Sequence, residues 1–418
     1  MTKTKKRYHN KNKNYTRKRK NLPKDLKKIS DSVKDIINEK LYQNYRNIAV
    51  NNLSVNNLEN LETITNHSIK RDLTAKKSYS PSINKKLISV KSIRTHPLFA
   101  CNDIAGLEKT VPKKSLKVQV KYKGQLVCTD ATNPIAKTAF LSALKNKKIT
   151  CNNIIPPIQY HTNCWFNTMF MCLFISDKGR KFTRYLRQAM IEGKLINGKI
   201  ISPKSLHDSL ILFNAAIEAV KNKNKVLSNE SLALNTNVII HNIYKSIPKS
   251  FNHSHYGIKN VDEYGNPLAF YSDLIEYIDA KNAGSPTLKI LSGSKEVESF
   301  LSGSSNENSD IVAVQLFNNS YTPSYAQANH LKKRTMIKHD TNTYKLDSAI
   351  IRDNNHTHFG CAITCNKRDM LYDGAAFTKL VSKKWKSLIN KNKDWNLSGS
   401  KTTWNFKKGY QILFYYKH

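Results

Sequence analysis

The order of apolar and polar positions predicts helices in the middle of the chain and strands toward its C-terminal end. After Pro156-Pro157 the apolar density rises and stays high. Runs with a helical period come first, and shorter runs typical of strands follow. The predicted helices are 164–176, 180–192, 205–222 and 268–280, and the predicted strands are 310–317, 344–352, 358–365, 369–373 and 409–416. Because helices and strands are segregated rather than alternating, the pattern indicates an α+β fold.

A shorter ordered region is predicted upstream of these elements. SLKVQVKYKGQLVCTD alternates like a β-hairpin around Lys123-Gly124, and PIAKTAFLSALKNKK follows as an amphipathic helix. The Ser-rich stretch 292–310 predicts a polar loop. The chain therefore divides into a basic, largely disordered tail and linker (1–90), an ordered extension (91–150) and a main domain (151–418).

Charge is concentrated near the N-terminus. The 418 residues carry a formal net charge of +39, and residues 1–20 hold ten basic residues and no acidic one. A field of this sign attracts polyanions, so nonspecific nucleic-acid binding through residues 1–20 is one expectation. A solvated tail without a specific partner is the alternative.

Cysteine usage and hydropathy place further bounds on the class of protein. None of the seven cysteines has zinc-finger spacing, so we expect reduced thiols in an intracellular, reducing compartment, with neither a metal nor a cofactor. No signal peptide and no apolar run of about 18 residues is found, so no membrane partner is expected.

Cys164, in QYHTNCWFNTMFMCLFIS, is the candidate nucleophile. A thiol reacts as the thiolate, and a helix N-terminus favours negative charge, so a cysteine at the start of helix 164–176 suits this chemistry. Taken alone, such a cysteine is more often a structural residue. Cys172 lies deeper in the apolar run and is expected to be inert core.

A thiol hydrolase also needs a base, an orienting group and a donor to the oxyanion. His358 begins a predicted strand and is the first choice of base, with His356 in the preceding loop as second choice. The next strand returns after a turn, which should bring Asp373 close to His358 as the orienting acid. The side-chain amide of Gln159, five residues before Cys164, is a plausible donor to the oxyanion.

These stretches resemble the Cys box and His box of the ubiquitin-specific proteases. QYHTNCWFNTMFMCLFISDKGRKF is similar to the first, and YKLDSAIIRDNNHTHFGCAITCNKRDMLYDG, followed by GYQILFYYKH, is similar to the second. Between them, IVAVQLFNNS resembles the strand before the His box, and GNPLAFYSDLIEYI a degenerate form of the QQDAHEF helix. The order Cys, His, Asp disfavours adenovirus-type and SUMO-type proteases.

The resemblance implies a papain-like cysteine peptidase fold over roughly residues 155–418. A helical lobe would carry the Cys, and an antiparallel β-sheet lobe would carry the His and the Asp. Cys164 would be the nucleophile, His358 the base, Asp373 the orienting acid and Gln159 the oxyanion donor. The chain departs from the family pattern at Gln159 and Asn163, and at Gly374, where a second acid is usual; it also lacks a paired-Cys fingers subdomain.

Two hypotheses follow from different classes of function. The first is a thiol-dependent deubiquitinase that cleaves after the C-terminal glycine of ubiquitin or a ubiquitin-like protein. Aromatic side chains such as Trp165 and Phe359 would line the channel for the substrate's C-terminal tail. The alternative for these two residues is core packing. The second is a catalytically degenerate peptidase-like protein that acts as a basic binding protein associated with nucleic acid or with a virion.

Overall fold

The computed structural model describes most of the chain from residue 99 onward. The described ranges are 99–100, 117–123, 125–144, 149–159, 162–221, 236–248, 267–279, 288–317, 325–339, 342–377 and 379–418. The predicted tail and linker, 1–90, lies outside them.

The helices of the described residues lie mostly in the first part of the main domain. They are α1 (Pro134–Leu144), α2 (Cys164–Phe170), α3 (Gly179–Phe182), α4 (Arg184–Glu192), α5 (Lys204–Lys221), α6 (Thr236–Ser246), α7 (Pro267–Asp279) and α8 (Ser294–Ser302). Helix α2 continues directly into a π-helical turn, Met171–Ile175. None of the helices within the described ranges is both long and apolar enough to cross a membrane.

The strands form one large sheet and two small ones. They are β1 (Phe99–Ala100), β2 (Lys117–Tyr122), β3 (Gln125–Asp130), β4 (Leu288–Leu291), β5 (Ile311–Leu316), β6 (Met336–His339), β7 (Asn342–Arg352), β8 (Phe359–Cys365), β9 (Arg368–Tyr372), β10 (Val381–Ser382), β11 (Trp395–Asn396), β12 (Thr403–Trp404) and β13 (Gln411–Lys417). The large sheet has the order β10-β9-β8-β7-β13-β5-β4, and β6 pairs with β7.

The mixed, α+β character predicted from the sequence is confirmed, with two local corrections. The Ser-rich stretch predicted as a loop contains helix α8, whose Val297, Phe300 and Leu301 are buried. Their spacing of three and four residues places them on one helical face, which packs on the sheet. In addition, β4 and β5 are parallel and are joined through α8, so the sheet is not antiparallel throughout.

An aromatic cluster forms the core around helix α2. Every residue of this helix is buried, and the ring of Phe166 stacks on that of Tyr271 with a centroid separation of 5.1 Å. The ring of Phe174 meets that of Phe213 edge to face at 5.1 Å. Each fully buried aromatic or large aliphatic side chain contributes about 1.5–3 kcal/mol, so helix α2 is held rigidly from all sides.

The extension predicted upstream of the main domain packs against the helices. Val118 of β2 and Phe140 and Leu144 of α1 share a buried apolar cluster with Ile191 of α4 and Ile211 of α5. The hairpin β2–β3 and helix α1 therefore buttress the helical part of the domain.

Three of the described cysteines, Cys128, Cys151 and Cys365, depart from the prediction of free thiols because they are disulfide-bonded. Cys151, at the start of the main domain, and Cys365, at the end of β8, form a disulfide. Because the two cysteines are 214 residues apart in the sequence, local cysteine spacing could not predict this disulfide. Cys164, Cys172 and Cys361 are free and buried.

A buried ion cluster joins helices α4 and α5. The Arg187 guanidinium and the Lys221 ammonium both donate to Glu218 Oε1, at 2.6 Å and 2.9 Å. Burial would raise the pKa of the Glu218 carboxyl, but the two cations and their hydrogen bonds outweigh it and lower the pKa to about 2. The negative charge of Glu218 thus offsets the positive charges of two cations inside the protein.

We expect Glu218→Gln to lower the free energy of unfolding at pH 7 by roughly 3–5 kcal/mol, because it leaves buried cations without a counterion. Since the folded-state pKa lies below the unfolded value, this stabilisation is present above about pH 4.5 and is lost as pH falls toward 2. Urea unfolding at several pH values measures it. The exposed control Glu298→Gln should change stability by less than about 0.5 kcal/mol, and equal losses in both variants would refute the role of the cluster.

Candidate active site

Cys164 is the first residue of helix α2 and is 7% exposed. Its thiol lies 4.0 Å from the Thr162 carbonyl oxygen. The aromatic packing of Phe166 and of the residues beyond it leaves the helix little freedom to shift. The thiol is therefore presented at a fixed place, at the edge of the helical part of the domain.

A buried polar network fixes the turn that precedes Cys164. Asn163 Nδ2 donates to Thr236 Oγ1 at 2.9 Å, and Thr236 Oγ1 donates to Asn167 Oδ1 at 2.6 Å. Asn167 Nδ2 in turn donates to the Ile158 carbonyl at 3.3 Å. Because buried polar side chains are costly without partners, this closed set ties the start of helix α2 to helix α6 and to the segment before the turn.

The structure brings His358 and Asp373 together. His358 Nε2 lies 2.8 Å from Asp373 Oδ1, and Asp373 is only 1% exposed. An ionised carboxylate only accepts hydrogen bonds, so Nε2 carries the proton and Nδ1 is the ring nitrogen left to face another group. That group is Cys164, whose side chain also interacts with the imidazole.

Strand pairing explains how two residues fifteen positions apart meet. Strands β8 and β9 are antiparallel, with Cys361 opposite Tyr372. His358 precedes β8 and Asp373 follows β9, so both lie at the same end of the hairpin. One further step of the register would put Asp373 opposite Gly360, diagonally across from His358.

The environment of His358 favours its charged form. Burial alone would lower the pKa of its imidazole, but the hydrogen bond with Asp373 and the interaction with Cys164 outweigh burial. Together they raise the pKa from 6.5 to about 10. The site therefore favours the imidazolium, which is the form of histidine that can stabilise a neighbouring thiolate.

Asp353 clamps the backbone of the loop that carries His358. Its Oδ1 accepts the backbone N–H groups of Thr357 at 2.7 Å and of His358 at 2.8 Å. The Asp353 N–H donates in return to the His358 carbonyl at 2.9 Å. This residue was not predicted from the sequence, although an Asp that begins a short loop between two strands is a recognisable turn signal.

His356, the second choice of base, occupies a different position. It lies exposed in the same loop with a φ of +56°, a left-handed conformation. Asp373 pairs with His358 instead, so the structure distinguishes the two histidines.

Gln159 is held through its backbone beside Gly374, the residue after Asp373. The Gln159 N–H donates to the Gly374 carbonyl at 2.9 Å, and the Tyr372 hydroxyl donates to the Pro157 carbonyl at 2.7 Å. A Cβ at position 374 would lie 2.3 Å from the Tyr372 hydroxyl. A side chain at position 374, where the ubiquitin-specific proteases usually have a second acid, would therefore displace the Tyr372 hydroxyl.

The aromatic residues near the site differ from those expected to line a substrate channel, Trp165 and Phe359. Trp165 is 2% exposed and meets Phe270 edge to face, so it is a core residue. Phe359 is half-buried against Tyr410. The buried Trp404, which sequence reasoning missed, has its ring centroid 6.4 Å from that of His358.

Gly360 makes room for this tryptophan. A Cβ on Gly360 would come within 3.3 Å of the indole. Glycine here lets the indole pack beside the imidazole.

No protein-family model matches the chain, and no curated protein matches it either. Among solved structures it is similar to the SAGA DUB module Ubp8/Sgf11/Sus1/Sgf73 bound to monoubiquitin, at 11% identity and a TM-score of 0.39, covering 81% of this chain and 92% of that one. An essential yeast splicing factor is similar at 11% identity and a TM-score of 0.38, covering 72% and 83%. Likeness at this level assigns no activity.

We expect Asp373→Asn to lower the pKa of His358 from about 10 toward 6.5, because the carboxylate that favours the imidazolium is lost. Histidine-labelled NMR, with the signal assigned by its absence in His358→Gln, should give a midpoint well above 8 in the wild type. The signal of the exposed His330 is an internal control and should be the same in both proteins. An unchanged midpoint for His358 in Asp373→Asn would refute the assigned interaction.

Proposed function

We propose that the protein is a thiol-dependent deubiquitinase with a papain-like catalytic domain over residues 151–418. It would hydrolyse the peptide or isopeptide bond after the C-terminal glycine of ubiquitin or a ubiquitin-like protein. The observation that carries the proposal is the arrangement of Cys164, His358 and Asp373. The ubiquitin substrate rests on the resemblance of the two sequence stretches to the ubiquitin-specific proteases.

In the first half of the reaction, the Cys164 thiolate attacks the carbonyl carbon of the terminal glycine. The His358 imidazolium then gives its Nδ1 proton to the leaving amine as the C–N bond breaks, which leaves a thioester on Cys164. Asp373 holds the ring through Nε2, so that Nδ1 stays aimed at the thiol.

In the second half, a water replaces the released amine. His358, now neutral, accepts a proton from that water as its oxygen attacks the thioester. The acid product leaves, and Cys164 returns as the thiolate beside the imidazolium. In both halves the negative charge on the carbonyl oxygen needs a donor, and Gln159 is our candidate for it.

The other regions take supporting roles in this proposal. Residues 91–150 would buttress the helices, consistent with the apolar cluster that α1 shares with α4 and α5. Cys164 is free although Cys151 and Cys365 are joined by a disulfide, and a reactive thiol must stay reduced. We propose an intracellular location, with residues 1–20 acting as a tether.

Hydrolysis of ubiquitin carrying a fluorogenic C-terminal amide tests the proposed activity. We expect measurable turnover by the wild type, and a loss of about 10⁴-fold or more in kcat/KM for Cys164→Ala, because no other group supplies the nucleophile. Cys172→Ala, a buried cysteine outside the site, is the matched control and should keep its turnover. Absence of turnover with ubiquitin and ubiquitin-like substrates would support the degenerate binding protein instead.

We expect Asp353→Ala to lower kcat by roughly 10–100-fold with little change in KM, since His358 loses its backbone clamp and small misplacements of a catalytic group are costly. The exposed neighbour Asn355→Ala is the control and should keep the wild-type kcat. The midpoint of the His358 titration should move in the Asp353 variant only. If kcat falls equally in both variants, the clamp has no specific role.

A further inference from the structure

A column of stacked aromatic rings, from the segment between β10 and β13, ends at the His358 imidazole. Four side chains form the column, and we call them the aromatic stack: Trp385, Phe406, Trp395 and Trp404. Successive rings are inclined by only 25–29°, and their centroids lie 5.1–6.3 Å apart. These values are typical of favourable offset stacking. Trp404 is the last member, and the centroid of the His358 ring follows at 6.4 Å.

Buried polar contacts fix the aromatic stack within the protein. All four of its rings are buried. At one end, Trp385 Nε1 donates to the Ile363 carbonyl of β8 at 3.3 Å. In the middle, the buried Lys333 ammonium donates to the Ile389 carbonyl at 3.0 Å and also to the Phe406 carbonyl. Because breaking buried hydrogen bonds is costly, the stack has little freedom to shift relative to the sheet.

The Trp404 end of the stack is joined to the segment that carries His358. The Asn354 N–H donates to the carbonyl of Thr403, the residue before Trp404, at 2.9 Å. On the other side of His358, a Cβ on Gly360 would lie 3.3 Å from the indole, so strand β8 comes close to the same ring. The backbone before His358 and the backbone after it are therefore both held near Trp404.

The hydrogen bonds of His358 do not by themselves fix the tilt of its ring. Asp353 binds the backbone N–H of His358 and not the imidazole. Asp373 accepts one hydrogen bond from the ring, from Nε2 at 2.8 Å. The torsion about the Cβ–Cγ bond of histidine is broad, so a rotation would move Nδ1 away from Cys164. A rigid ring packed beside the imidazole restricts that rotation.

We propose that Trp404 is a positioning residue, which holds the His358 ring in the orientation that aims Nδ1 at Cys164. The indole is only 1% exposed, so it acts through the imidazole and not by touching the substrate. Its role should therefore appear in the reactivity of the Cys164 thiol and in kcat, and not in KM. The kinetic part rests on the proposed hydrolase function, whereas the reactivity of the thiol does not.

Alkylation of Cys164 by chloroacetamide at pH 7, mapped by mass spectrometry on the full-length chain, tests the role of Trp404 without a ubiquitin substrate. We expect Trp404→Leu to slow the reaction roughly tenfold or more, because a misplaced imidazolium stabilises the thiolate less. Trp404→Phe keeps a ring beside the imidazole and should slow it only about two- to fivefold. Phe300→Leu, which truncates a buried aromatic residue of helix α8 outside the stack, is the matched control and should react like the wild type.

Turnover of the fluorogenic ubiquitin substrate provides a second readout. In Trp404→Leu, kcat should fall roughly 10–100-fold while KM changes less than about twofold. Trp404→Phe carries both measurements if circular dichroism shows that Trp404→Leu is unfolded. The proposal is overturned if the Trp404 variants match the wild type, if Phe300→Leu is slowed as much as they are, or if KM rises while kcat stays constant. A wild type that is alkylated at Cys164 but hydrolyses no ubiquitin substrate contradicts the proposed function and not the role of Trp404.

Discussion

The distance between the Cys164 thiol and the His358 imidazole depends on how the segment before helix α2 is held against the end of strand β9. Two hydrogen bonds make this connection, from the Tyr372 hydroxyl to Pro157 and from the Gln159 N–H to Gly374. Both involve buried or half-buried groups, so water competes weakly with them. They attach the helical part of the domain to the strand that ends at Asp373.

The remainder of the site is organised around this connection. On the helical side, the network of Asn163, Asn167 and Thr236 fixes the turn before Cys164. On the sheet side, Asp353 fixes the backbone of His358. Neither network contains a group that the proposed chemistry consumes. Both restrict motion of the reacting side chains, and such preorganisation is what positions a nucleophile and its base.

Local patterns were sufficient to predict the elements that carry the site. Apolar runs located helix α2 and strands β8 and β9, and a short turn between two strands was enough to bring Asp373 beside His358. Other features depend on partners distant in sequence. The disulfide of Cys151 joins residues 214 positions apart, and a side chain at position 374 would displace the Tyr372 hydroxyl. Helix α8 was missed because its serines resemble a loop, although Val297 and Phe300 anchor it.

The most direct test of the central claim is reaction with ubiquitin bearing an electrophile in place of its C-terminal carboxylate, followed by peptide mapping by mass spectrometry. We predict a single covalent adduct on Cys164 that is absent from Cys164→Ala and forms more slowly in Asp373→Asn. An adduct on another cysteine, or one that survives Cys164→Ala, would contradict it.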